Sequence, residues 1–296
     1  MNPYLIEGPT LYSFSGGRTS GYLLKHAIDA HGGKLPDDHV VCFANTGREM
    51  PETLDFVQEC SERWNVRIVW LEYDPAEPHS TKIVSHNSAA RNGEPFEVLI
   101  GKRKMLPNPV MRFCTIELKI RRMAMYAQHH LGWERWNSIV GLRADEKHRT
   151  EGIDARNAAK KDRFFTIAPL VPAEVAKQIV LDWWSEQPFD LRLTVDTKGD
   201  TILGNCDLCF MKGRKKVERI LTARPRLADW WKQMEHDAPG MGRIQKPEMA
   251  LFRADRPSYA ALQQHASMIA SLSPKLRQAA LDALEDDDRG SCTCHD

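Results

Sequence analysis

The chain has 296 residues, 42% of them hydrophobic and 27% charged, enough to bury the core of one large domain or of a domain with a smaller appendage. No apolar run reaches the ~18 residues of a bilayer span, and the start MNPYLIEGPTLYS lacks the basic-then-apolar order of a secretory signal, so a cytoplasmic protein without membrane attachment is expected. A formal charge of +1 excludes global attraction to polyanions, and seven cysteines without a secretion signal argue for thiol, metal or redox chemistry over a disulfide framework.

The first strand candidate is TLYSF (10–14), followed by the glycine turn in SFSGGRTSG and by a helical pattern over 19–31. HVVCFAN (39–45) is a continuous β-rich run of the kind buried on both faces of a parallel sheet. Pro51 then stands where a helix begins, with Leu54, Phe56, Val57 and Cys60 as its apolar stripe. RIVWLEY (67–73) is the next strand; after a long loop comes helix-like ELKIRRMAMYAQHHL (117–131), then the strand NSIVGL (137–142). This alternation predicts an open α/β sheet with right-handed crossovers, whose ligands bind at the carboxyl ends of the strands. Beyond about residue 172 the pattern is helical, in 174–187, 214–236 (interrupted at Pro225) and 258–272. The expected organisation is a nucleotide-binding domain over 1–172, a mainly helical region over 173–285 and a polar tail over 286–296.

Three strand ends carry the chemistry. Ser15, Gly16 and Gly17 leave backbone N–H groups facing the positive end of the following helix, which makes an anion site; on spacing alone, a glycine turn with Ser15 capping the helix explains it as well. Neither the GxGxxG nor the GK[ST] signature is present. The other two strand ends are NTGRE (45–49) and GLRADEKHR (141–149).

SFSGGRTSG resembles the PP-loop of the adenine nucleotide alpha-hydrolase-like superfamily of ATP pyrophosphatases, tRNA thiolation enzymes and phosphoadenosine phosphosulfate (PAPS) reductases. FANTGREMPETLDFV (43–57) and GLRADEKHR resemble two further segments of the PAPS reductase branch, although Arg18 and Thr19 replace the usual Lys-Asp pair and Asn45 replaces an acidic residue. The resemblance implies a HUP-like sheet with helices on both faces and an adenine nucleotide, ATP with Mg, held by Ser15, Gly16, Gly17, Arg18, Thr19 and Ser20, with Asn45, Thr46 and Gly47 near the adenosine. Arg143 and Arg149 would then neutralise phosphate or the charge that develops in transfer, with Glu146 as a further catalytic candidate. Alternatively, Asp145 and Glu146 are surface partners of Arg149 or another basic neighbour.

Cys206 and Cys209 form a C-x-x-C between glycines, a pattern shared by iron–sulfur clusters, zinc sites and redox pairs. Cys114 stands before a helix and beside Arg112, which should lower its thiol pKa. The resemblance implies that Cys114, Cys206 and Cys209 are ligands of a [4Fe–4S] cluster, with zinc as the alternative. A single Cys114 in place of a Cys-Cys pair favours cluster-dependent sulfur insertion, supplied by a sulfur donor, over a reductase. Cys42 and Cys60 read as core residues, as do Trp183–Trp184 and Trp230–Trp231. Cys292 and Cys294 fit either an incidental tail or the attacking thiol of a sulfonucleotide reductase. The basic segments 102–122 and 212–216 flank the proposed ligands, either as solvated faces or as contacts to tRNA or DNA. A nucleotide or nucleic-acid binding module with structural zinc is the non-enzymatic reading.

Overall fold

A computed structural model describes residues 2–195, 199, 201–243 and 247–284. The first half alternates strands and helices: β1 (Thr10–Ser13), α1 (Arg18–Ala30), β2 (His39–Ala44), α2 (Pro51–Arg63), β3 (Ile68–Tyr73), β4 (Thr81–Val84), α3 (Glu94–Arg103) and α4 (Arg121–His129). There follow β5 (Trp136–Ile139), α5 (Lys147–Thr150), α6 (Ile153–Ala159) and β6 (Phe164–Ile167). The helical remainder comprises α7 (Lys177–Ser185), α8 (Arg214–Ala223), α9 (Ala228–Asp237), α10 (Tyr259–Ala270) and α11 (Pro274–Asp282).

The six strands form one sheet in the order β4-β3-β2-β1-β5-β6, parallel except for the antiparallel edge pair β3–β4. Side chains alternate between its faces, as the two-residue period of a strand requires. Tyr12, Val41, Phe43, Ile68 and Trp70 enter the cluster with Leu23, Leu24, Leu54 and Phe56 of α1 and α2. Leu11, Cys42, Ala44, Val69 and Leu71 pack on Met123, Tyr126 and Ala127 of α4. Helices therefore cover both faces: the alternation of elements predicts the open α/β sheet and helical C-terminal region, and the resemblance implies its HUP-like form.

The larger cluster does not end with the sheet. It continues through Val180 and Trp184 of α7 into Phe210, Trp231, Phe252 and Tyr259, so the helical region and the sheet share apolar packing. Trp184 and Trp231 are fully buried there, as are Cys42 and Cys60 in theirs. β1 lies between β2 and β5, and chain order reverses at this point. Such a reversal opens a crevice at the strand ends. The loops after β1, β2 and β5 all leave from that edge. Among the described residues, no helix is long and apolar enough to cross a membrane.

Candidate active site

The loop after β1 is built by its own hydroxyls. Ser20, buried on the first turn of α1, receives the N–H groups of Ser15 (3.3 Å) and Gly17 (3.2 Å), while its own hydroxyl meets Ser15 Oγ at 3.0 Å. Gly16 takes φ of +77°, where a Cβ would strike Thr53 Cγ2 at 2.7 Å. Gly17 then caps α1 in extended geometry. Ser15, Gly16, Gly17, Arg18 and Thr19 line one cavity of about 270 Å³, and Ser20 braces them from behind. Positive helix end, glycine backbone and hydroxyls together make an anion cradle.

Arg18, besides lining the cavity, is engaged on its far side. Its guanidinium makes a two-point pair with Asp190 (2.7 and 2.8 Å) and donates to the Leu191 carbonyl, so it ties α1 to the chain after α7. Arg143 lines the cavity too and donates to Thr19 Oγ1 at 3.3 Å. It also meets Asp145, and its backbone N–H is received by Glu146. Glu146 reaches the cavity and pairs with buried Arg149.

Asn45, Thr46 and Gly47 do not line this cavity. Asn45 is sealed inside, donating to Glu72 (2.6 Å) and to the Ala90 carbonyl, and receiving the Gly47 N–H. Burial raises the Glu72 carboxyl above its ordinary range. Thr46 faces the C-x-x-C: its hydroxyl lies 3.4 Å from Cys206 Sγ and bonds Glu49, whose backbone forms a bridge with Cys206. Arg48 continues the junction by pairing with Asp207 and receiving the Asp207 N–H on its carbonyl. Burial lifts the Asp207 carboxyl in spite of Arg48, since desolvation outweighs the pair. The NTGRE turn thus supports the C-x-x-C loop.

The helical region holds that loop from its other side. Trp231 Nε1 donates to Asp207, Tyr259 donates to the Leu208 carbonyl, and Arg256 donates to the Lys212 carbonyl and to the Tyr259 hydroxyl. No sequence motif announced Arg256 or Tyr259. Cys206 and Cys209 are buried, and Cys114 approaches closely enough that the charge of Cys209 adds to burial in raising its thiol pKa to about 12. This reverses the expected lowering, because loss of water outweighs the opposing pull of Lys119. Cys114 packs against the apolar cluster that contains Cys206 and Cys209, about 90 residues on in sequence.

Among the described residues, no set of three or more His, Cys, Asp and Glu side chains is gathered to hold a metal ion. Two ammonium groups, Lys119 and the buried Lys212, lie within electrostatic reach of these thiols. Such cations offset thiolate charge, and a cluster spreads its thiolates over separate irons. Cys209 and Lys212 also line the cavity floored by the 15–19 loop, as does Lys216. Of the basic segment 212–216, Lys212 turns inward to the carbonyls of Gly204 and Cys206, Arg214 pairs with Glu218, and Lys215 bonds the Asp282 carbonyl. Cys292 and Cys294 lie outside the described residues.

The chain is 31% identical over 211 residues to the uncharacterized nin region protein ORF290 of Escherichia phage lambda, covering 69% of this chain and 67% of that one. Structural superposition aligns it with the U34-tRNA thiolase NcsA of Methanococcus maripaludis, solved with its [4Fe-4S] cluster, at a TM-score of 0.41 and 12% identity over 96% of this chain and 75% of the other. Residues 9–175, more than half of the length, match the phosphoadenosine phosphosulfate reductase domain, and the chain belongs to that family.

Proposed function

We propose that this protein is an ATP-dependent sulfur-transfer enzyme that activates an acceptor oxygen on a nucleic acid or small molecule. One observation carries the reading: a single cavity holds the anion cradle of residues 15–19 and, across from it, Cys209 with Lys212. Phosphate chemistry and thiol chemistry therefore meet in one space. In the reading, ATP with Mg lies with its phosphates on the loop N–H groups, and the acceptor oxygen attacks the α-phosphorus. Pyrophosphate leaves toward the loop, where Arg143 and Thr19 receive the developing charge. A sulfur nucleophile from a sulfide-class donor then forms the C–S bond as the C–O bond to AMP breaks. Glu146 aligns Arg143 through its backbone and Arg149 through an ion pair. Cys114, Cys206 and Cys209 would hold a [4Fe–4S] cluster, which supplies an iron with an open position for sulfur. The chain's part is to keep those thiols dry and charge-balanced by Lys119 and Lys212. The two-domain division at about residue 172, with the helical part bringing the C-x-x-C to the sheet, belongs to the same reading.

Family membership favours a second reading, reduction of a sulfonucleotide by a tail cysteine. One set of assays separates them: ATP-dependent pyrophosphate release with sulfur incorporation into tRNA or DNA, beside sulfite release from PAPS. Transfer is expected to survive truncation after Gly290 and to vanish in Cys206→Ser, together with bound iron. Sulfite release that disappears with the tail, without ATP consumption, would overturn the proposal and establish the reductase.

A further inference from the structure

A second cavity, of about 510 Å³, opens between β3, α3, the turn before α4 and α4 itself. Its charge is one-sided. Lys102, Arg103, Arg121, Arg122 and Arg243 line it, against one carboxylate, Glu117. Glu117 is shared, receiving both Arg103 and Arg121. Lys102 faces the ring of Tyr73, at 5.8 Å, and is exposed, as is Arg243.

Arg122 makes this a built site. It is 2% exposed, and its Nε and Nη1 are consumed by the carbonyls of Glu117, His79 and Ser80 and by Thr81 Oγ1. Among the described residues no carboxylate lies within ion-pair distance of it, and its bonds run through Nε and Nη1 alone. Burying a cation in that state is costly unless an anion completes its fork. The buried Tyr73 ring already takes Lys102 and Arg122, and the His79 ring at the rim is stacked on His129. The cavity offers charge and donors without an edge-reading surface, which is how backbone phosphates are held.

Its place in the fold narrows the ligand. The turn carrying Glu117 (Thr115–Ile120) is π-helical, and it begins directly after Cys114. That wide turn sends Glu117 to the basic cavity and Lys119 toward Glu49 at 3.7 Å, on the thiol side. One turn of the chain thus reaches both the basic cavity and the thiol side.

We propose that this cavity binds a phosphodiester of a nucleic-acid strand, as an anion site separate from the 15–19 loop. The inference deepens the reading above by choosing nucleic acid as acceptor, and it is tested by binding, so its failure is distinguishable from failure of sulfur transfer. The full chain is titrated with a labelled single-stranded oligonucleotide over a salt series, and with ATP in parallel. Lys102→Glu/Arg243→Glu, at two exposed positions, is expected to weaken oligonucleotide affinity about tenfold or more and to lower the salt slope by about 1 to 2. ATP affinity should be unchanged. Arg122→Lys keeps the charge but loses the fork, and a smaller loss is expected. Unchanged oligonucleotide affinity and slope in the double variant would overturn the proposal. So would displacement of the oligonucleotide by inorganic phosphate at an equal concentration of phosphate groups, which would mark a site for free anions.

Discussion

Adding a methyl group first to Gly16 and then to Gly17 separates what the loop needs for folding from what it needs for its ligand. At Gly16, φ of +77° costs an L-residue about 1–2 kcal/mol. A Cβ there also meets Thr53 Cγ2 at 2.7 Å, Val57 Cγ2 at 3.1 Å and Phe43 Cε2 at 3.3 Å. Overfilling of this kind adds about 1–3 kcal/mol, so Gly16→Ala is expected to destabilise by roughly 2–5 kcal/mol. Gly17 sits at φ of −101° and a Cβ would touch only Ser15 Oγ, at 3.4 Å. Gly17→Ala should therefore stay within about 1 kcal/mol of the parent. Gly17→Asp should likewise fold, but its carboxylate would stand where phosphate is bound. Two like charges about 4 Å apart near a protein surface repel by up to about 4 kcal/mol, less with screening, which gives a roughly 30- to 1000-fold loss of ATP affinity. Urea unfolding followed by circular dichroism reads the first two variants, and calorimetric titration with ATP reads the third. A Gly16→Ala protein as stable as the parent, or a folded Gly17→Asp protein with undiminished ATP affinity, would refute the reasoning.

Tyr259→Phe removes the hydroxyl that donates to the Leu208 carbonyl and receives Arg256, at a site 1% exposed. A loss of about 1–3 kcal/mol in urea unfolding is expected, and a change below about 0.5 kcal/mol would show that the C-x-x-C loop does not depend on it. Glu235 receives the N–H groups of Tyr259 and Phe252, yet burial raises its carboxyl to about 7. A raised folded-state pKa contributes stability that is full below the ordinary carboxylate range and is lost as pH rises through about 7. Stability should therefore fall by up to about 3 kcal/mol between roughly pH 5 and 8, and Glu235→Gln should flatten that slope; an equal slope in the variant would assign the titration elsewhere.

The central strands were legible because parallel strands covered on both faces need continuous apolar runs, and HVVCFA and IVWLEY supply them. β4 and β6 were not. TKIV and FFTI are four-residue edge strands, partly exposed, so neither carries a long run nor a clean alternation. α3 was also hidden, since Gly93 and Pro95 at its start read as loop. The break in 214–236 was visible at Pro225, where α8 ends and α9 follows one short turn later. Of the site, the 15–20 loop and Arg143 lie at strand ends as their motifs predict. Arg18 lines the cavity with the loop, but its tie to Asp190, 172 residues away, was not legible in any local pattern. Local chemistry likewise gave the wrong sign for Cys114: the helix and Arg112 are neighbours in sequence, whereas burial is a property of the finished fold.

The long-range contacts explain how two chemistries come to share one cavity. Neither the 15–19 loop nor the C-x-x-C closes a pocket alone, because each is a turn at the end of its own element. Arg18 binds the start of α1 to Asp190, Trp184 Nε1 donates to the Arg18 carbonyl at 2.7 Å, and Arg48 joins the β2 turn to Asp207. These polar ties sit beside continuous apolar packing of Phe56, Trp184, Phe210 and Trp231, which supplies the larger share of the adhesion while the ties fix the register. The cavity is thus the seam between sheet edge and helical region. A substitution that loosens the seam should cost nucleotide affinity and thiol burial together, even though it touches neither. Asp190→Ala provides the case. It removes the two-point ion pair of Arg18, leaving its bonds to Leu191 and Thr201, without substituting any loop residue, and a cavity that depends on the seam should lose ATP affinity while Cys209 gains reactivity toward a soluble thiol reagent. If only one of the two changed, loop and thiols would be independent neighbours, and the shared cavity would carry no mechanistic weight.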